Sequence, residues 1–213
     1  MTFKQRYENL KKELLDAGAT IEYEDAGMAM TEGMRDYYRD DENFSIPDDL
    51  FELFASIDGL DFRWSLATEA GNLSGFFQLH SLESLLDNET EDKLYADWYE
   101  EDDIETIKKH RIFESFEGMD YYTTILFDQG NDYALYYVPD DGVNHGGSKE
   151  LPKLPLTIAQ YVELIFAYYG TYDFRHHLHE PEFYGHPEKF VPQYDLLKKT
   201  FPNFNPPQFN PFQ

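Results

Sequence analysis

The chain has 213 residues, with 17 Lys+Arg against 42 Asp+Glu and a formal net charge of −25. Such a charge balance opposes the basic footprint that a phosphate-backbone binder needs, and it attracts basic partners. Cysteine is absent, which excludes a disulfide framework, a thiolate metal site and a cysteine nucleophile; 17% aromatic residues exclude a disordered acidic polymer and predict a well-filled core.

Phe3, Tyr7, Leu10 and Leu14 recur at helical spacing, and Gly18 ends the run, so a helix is expected from about Phe3 to Asp16. Residues Ala19 to Asn43 show poor periodicity and are expected to form an irregular connection with at most one short element. Met28, Met30 and Met34 within it suit gap-filling in a core. Asp48 and Asp49 favour the positive end of a helix that Pro47 opens, and Ser45 is placed to cap it. Leu50, Phe51, Phe54 and Ile57 mark that helix's apolar face, and Gly59 supplies a left-handed stop. Leu60, Phe62, Trp64 and Leu66 then alternate with Asp61, Arg63 and Ser65, a half-buried strand.

A turn-rich link leads to a second strand at Gly75–His80, and Ser81 caps a short helical turn with Leu82, Leu85 and Leu86. The segment Asp87–Asp103 is strongly acidic, and Tyr95, Trp98 and Tyr99 interrupt it beside Glu100, Glu101, Asp102 and Asp103. Amphipathic aromatics among charges suit an interface. Ile104 to His110 is expected to continue as a helix and Arg111–Phe116 to form a strand. Tyr121–Asp128 and Asp132–Val138 flank Gln129-Gly-Asn131 as a hairpin. Thr157-Ile-Ala-Gln160 is a capping box for a helix that Gly170 stops.

The last part, from Thr171, carries His176, His177, His179 and His186 and closes in a Pro/Phe-rich run. Proline excludes a long helix there, so partly docked extended chain is expected. His176 and His179, with Asp173, Glu180 and Glu182 nearby, form a ligand set that zinc accepts, but Pro181 denies them a regular frame; no metal or cofactor is expected. Gly142-Val-Asn-His-Gly-Gly-Ser-Lys149 fails the phosphate-loop order, and no nucleophile elbow or His-Glu-x-x-His occurs. Paired carboxylates are everywhere, so adjacency says nothing about acid–base chemistry, which needs one carboxyl set apart by burial. The first residues lack the apolar core of a signal peptide and no apolar run is of spanning length, which gives a cytoplasmic expectation.

Ile46-Pro47, an amphipathic helix, Ile57-Asp58-Gly59, then Phe62 and Trp64 resemble the opening signature of the SUKH superfamily, and the later elements follow its order from about Asn43 to Gly170. That superfamily includes fungal regulators of cell-wall glucan synthesis and bacterial immunity proteins that neutralise polymorphic toxins. The resemblance implies an α+β fold with one curved antiparallel sheet packed against helices, and it implies binding rather than catalysis. In this reading Ile46, Pro47, Gly59 and Trp64 are structural. Residues 1–42 form an N-terminal helix and connection, 43–172 the SUKH-like core, and 173–213 an extension. The expected function is an immunity-type protein without enzymatic activity, whose basic partner, such as a nuclease toxin, meets Tyr95, Trp98, Tyr99 and Glu100–Asp103. A regulator of the glucan-synthesis type is the alternative, and a hydrolase using the C-terminal histidines the third reading.

Overall fold

The computed structural model describes residues 1–39, 46–87, 109–116, 121–127, 133–138, 151–207, 209 and 211–212. Helix α1 (Phe3–Asp16) opens with a capping box in which Thr2 Oγ1 accepts from Gln5 N and Gln5 reaches back to Thr2 N. Strand β1 (Thr20–Ala26) and helix α2 (Glu32–Arg39) follow, then α3 (Asp48–Phe54), the long hairpin β2 (Leu60–Thr68) and β3 (Gly71–Leu79), and α4 (Leu82–Asp87). Strands β4 (His110–Ser115), β5 (Tyr122–Phe127), β6 (Tyr133–Val138) and β7 (Lys153–Leu154) precede helix α5 (Ile158–Ala167). The C-terminal part winds through α6 (Pro181–Gly185) and α7 (Tyr194–Thr200), with 3-10 turns at Asp173–His177 and Pro187–Lys189.

Among the described residues there are seven strands, forming one open, wholly antiparallel sheet in the order β1-β2-β3-β4-β5-β6-β7. This is the α+β architecture that the strand and helix periodicities predict, with two strands, β1 and β7, beyond the five they identify. One core cluster joins α1, α3, α5, the sheet and the C-terminal part, from Phe3 to Phe204. Residues of all three sequence segments, 1–42, 43–172 and 173–213, contribute to it.

Trp64 is the hub. Its cross-strand partner is Gly75, and its indole N–H donates to the Tyr169 carbonyl at 2.8 Å, just past the end of α5. A Cβ at Gly75 would stand 2.1 Å from that carbonyl oxygen and 2.3 Å from Trp64 Nε1, so glycine lets β3 pass beneath the ring. Phe201 closes the other side, stacked on Tyr169 at 4.0 Å and edge-on to Trp64. Gly59 has the left-handed φ expected of it, 88°, but α3 already ends at Phe54 with Ala55 as its C-cap, so Gly59 turns the chain into β2 rather than stopping the helix; Ile46 is buried.

Four expectations need correction. The poorly patterned stretch after α1 contains both β1 and α2. A bulge between Ile21 and Tyr23 changes the strand's phase, so Ile21 pairs with Trp64 on the core side, while Tyr23 pairs with Arg63 on the other face. Pro47 is the N-cap, one position before the first helical turn; Ser45 lies outside the described residues. His110 begins β4 rather than ending a helix. The C-terminal part is short helices and 3-10 turns, not extended chain, and its prolines sit at helix starts, at Pro181 and Pro187, where a missing N–H costs nothing.

Candidate functional site

Each C-terminal histidine has its own surroundings. His176 Nδ1 pairs with the Tyr137 hydroxyl, and the ring lies edge-on to Tyr121, Tyr137 and Tyr172. Burial, reinforced by neighbouring His177, holds it below the ordinary histidine pKa. His177 pairs with Glu180 at 2.8 Å and His186 with Glu188 at 3.3 Å. His179 Nδ1 is buried without a partner among the described residues. Those residues include no group of three or more His, Cys, Asp or Glu positioned to hold a metal ion.

One carboxyl is set apart by burial, and no sequence pattern identified it. Glu114 is fully buried and forms an ion pair with Arg175, itself 2% exposed, at 2.6 Å. Arg175 also donates from Nε to Glu114, from Nη1 to the carbonyls of Thr171 and Gly170, and from Nη2 to that of Phe76. Its guanidinium lies against the rings of Phe116 and Phe174, at 4.8 and 4.7 Å. Desolvation works against the charged guanidinium, but the Glu114 charge outweighs it and holds Arg175 above its ordinary pKa. The Tyr161 hydroxyl donates to Glu114 and is 2.6 Å from the Thr123 hydroxyl. A carboxylate so saturated is a structural anchor, tying the 3-10 turn Asp173–His177 to the sheet. The available signal was a charged residue in an apolar strand, between Ile112 and Phe116.

An open feature is formed by the helices. The start of α1, α2, α3 and α5 surround a groove of about 770 Å³. Its apolar floor includes Phe3, Phe51 and Val162, and Asp48, Glu52, Arg6 and Arg35 line it as well. Helical spacing puts Asp48 and Glu52 on the same exposed side of α3. Arg35 Nε is buried there without a hydrogen-bond partner among the described residues. Beside the groove, α2 exposes Tyr37 (75%) and Met34 (38%) with Glu32 and Asp36, and the segment before it exposes Met28 (87%). The edge strand β1 adds exposed Glu22, Tyr23 and Asp25. Acidic edge residues also discourage pairing with another sheet.

Of the residues singled out by sequence, Ile46, Pro47, Gly59 and Trp64 belong to the core framework. Tyr95, Trp98, Tyr99, Glu100, Glu101, Asp102 and Asp103 lie outside the described residues, as does the loop Gly142–Lys149. The methionines divide: Met30 is buried, whereas Met28 and Met34 are exposed. Comparison with protein-family models, with curated proteins and with solved structures finds no match to this chain. No helix among the described residues is long and apolar enough to cross a membrane.

Proposed function

We propose that this chain is a non-enzymatic binding protein of the SUKH kind, acting as an immunity-type protein that covers a basic partner such as a nuclease toxin. The observation that supports this most is the groove between α1, α2 and α3, with its apolar floor, carboxylates on α3 and exposed Tyr37 and Met34 alongside. Charge alone gives weak, promiscuous attraction, and affinity needs apolar or aromatic side chains desolvated at the centre of the contact. This face offers both. A chain of net charge −25 steers a basic partner toward it, and a nuclease carries a positive surface because it must hold phosphates. The acidic aromatic stretch Tyr95–Asp103 is a second candidate for the same contact.

The experiment measures binding of the toxin encoded beside this chain's gene, across a salt series. The association rate falls steeply with salt, and Tyr37→Ala accelerates dissociation while leaving the melting temperature unchanged; Trp98→Ala probes the second stretch. Association indifferent to salt, or an adjacent toxin that does not bind, refutes the reading.

A further inference from the structure

A second pocket, of about 500 Å³, lies on the C-terminal side of the molecule. Tyr168, Phe183, Tyr184, Tyr194 and Phe209 supply its rings, Glu188 its charge, and Asn205, Pro206 and Pro207 line it as well. Neighbouring rings fix these aromatics. Tyr168 packs on Phe183 at 6.0 Å, Tyr184 on Phe209 at 5.9 Å, and Tyr194 on Phe204 at 5.1 Å. The Tyr184 hydroxyl is oriented by donating to the Leu178 carbonyl at 2.8 Å, which leaves its lone pairs free to accept.

The Tyr168 hydroxyl opens onto the pocket. Only 1% of the residue is exposed, but its oxygen is not one of the fully buried polar atoms that lack a partner, so it reaches the space the residue lines. The Tyr161 hydroxyl, by contrast, is closed off by Glu114 and Thr123. Burial raises the Tyr168 pKa, and nearby Tyr194, Glu188 and Tyr184 raise it further, so the phenol stays neutral. The pocket therefore combines neutral phenol oxygens with one carboxylate. Glu188 is half exposed, with His186 Nδ1 at 3.3 Å and the Lys189 charge nearby, so its carboxylate stays open to an incoming cation.

We propose that this pocket binds an arginine side chain of a basic polypeptide. A guanidinium is planar, stacks on aromatic faces and presents several N–H donors in a fixed fork. Here the rings of Tyr184 and Phe209 offer faces, the oxygens of Tyr168 and Tyr194 accept, and Glu188 supplies the counter-charge. The chain's net charge of −25 favours such a polypeptide over an anionic or neutral one. The inference rests on this pocket alone and requires neither the α1–α2–α3 groove nor a toxin.

The test is an NMR titration of the full chain with the capped tripeptide Gly-Arg-Gly, against the same peptide carrying citrulline, which keeps the shape and loses the charge. The arginine peptide shifts the ring resonances of Tyr168, Tyr184 and Tyr194 saturably, and the citrulline peptide binds at least about tenfold more weakly. Glu188→Gln weakens arginine binding about fivefold. Tyr194→Phe weakens it too, and both variants keep the wild-type melting temperature. Equal binding of the two peptides, shifts confined to other residues, or Glu188→Gln binding as tightly as wild type overturns the proposal.

Discussion

Removing Glu114 exposes the cost of an arginine that has nowhere to go. In Glu114→Ala the Arg175 guanidinium keeps its contacts to the carbonyls of Phe76, Gly170 and Thr171 and to two phenyl rings, but loses its counter-charge. Arginine does not shed its proton in a protein, so titration gives no relief. Tyr161 at the same time loses one of its two hydroxyl contacts. Breaking one side of a buried pair costs about 3–5 kcal/mol, and the three carbonyls place this case near the lower end, about 3 kcal/mol. For a chain of this size each kcal/mol moves the midpoint by about 2–4 °C, so the melting temperature falls by about 10 °C. The double variant Glu114→Leu, Arg175→Met removes both charges and recovers most of the loss, because a buried pair contributes little over an apolar replacement. Denaturant melts followed by circular dichroism measure all three proteins. The reasoning is refuted if Glu114→Ala costs less than about 1 kcal/mol, or if the double variant is no more stable than the single one.

Trp64→Ala costs about 3–5 kcal/mol in the same melts, since a fully buried indole and its bond to Tyr169 are both lost; a cost under about 1 kcal/mol contradicts the placement of Trp64 as the core's hub. Gly75→Ala destabilises by a comparable amount despite adding one methyl group, because that methyl meets backbone as well as the indole; wild-type stability in the variant would show that β3 can move away. His110 is buried beside Arg111, and desolvation first, then that charge, lowers its pKa to about 4 from the ordinary 6.5. The unfolded chain therefore binds this proton first as pH falls: the contribution is whole above about 6.5 and is lost down to about 4, at most about 3 kcal/mol. His110→Phe should flatten the stability–pH curve in that window, and a slope equal to wild type contradicts the burial argument. Elemental analysis of protein purified without chelator should find less than stoichiometric zinc; a full equivalent lost in His176→Ala, His179→Ala would restore the metal reading.

What could be read from sequence follows the range of the interaction. The boundaries of α1 and the capping box of α5 rest on residues three or four apart, and β2 with its alternating Phe62, Trp64 and Leu66 rests on contacts repeated along one strand. Strand β1 was illegible for two physical reasons: as an edge it buries little, and its bulge interrupts the period. The helical turns of the C-terminal part were hidden because aromatic packing on α5, as of Phe174 and Phe183 on Tyr168, stabilises segments too short to form helices alone. The Arg175–Glu114 pair spans 61 positions and leaves no local pattern. The arginine pocket is assembled from residues 164 to 209, and its members are unremarkable one by one.

The strand order has a consequence for how the molecule assembles. Among the described residues, every strand in the sheet pairs only with the strands next to it in chain order. The sheet can therefore grow from the short hairpins β2–β3, β4–β5 and β5–β6, whereas the β1–β2 pairing (Ala26 to Leu60) and the β3–β4 pairing (Leu79 to His110) close longer loops that slow their formation. The contacts that knit its ends together are of another scale: Trp64 to Tyr169 across 105 positions, Tyr169 to Glu13 across 156, and Asn203 to Glu13 across 190. Glu13 is the clasp, accepting from both Tyr169, just past α5, and Asn203 of the C-terminal segment. Folding is thus divided into a zipper and a latch, and substitutions at Glu13 should act chiefly on the rate at which the native chain comes undone.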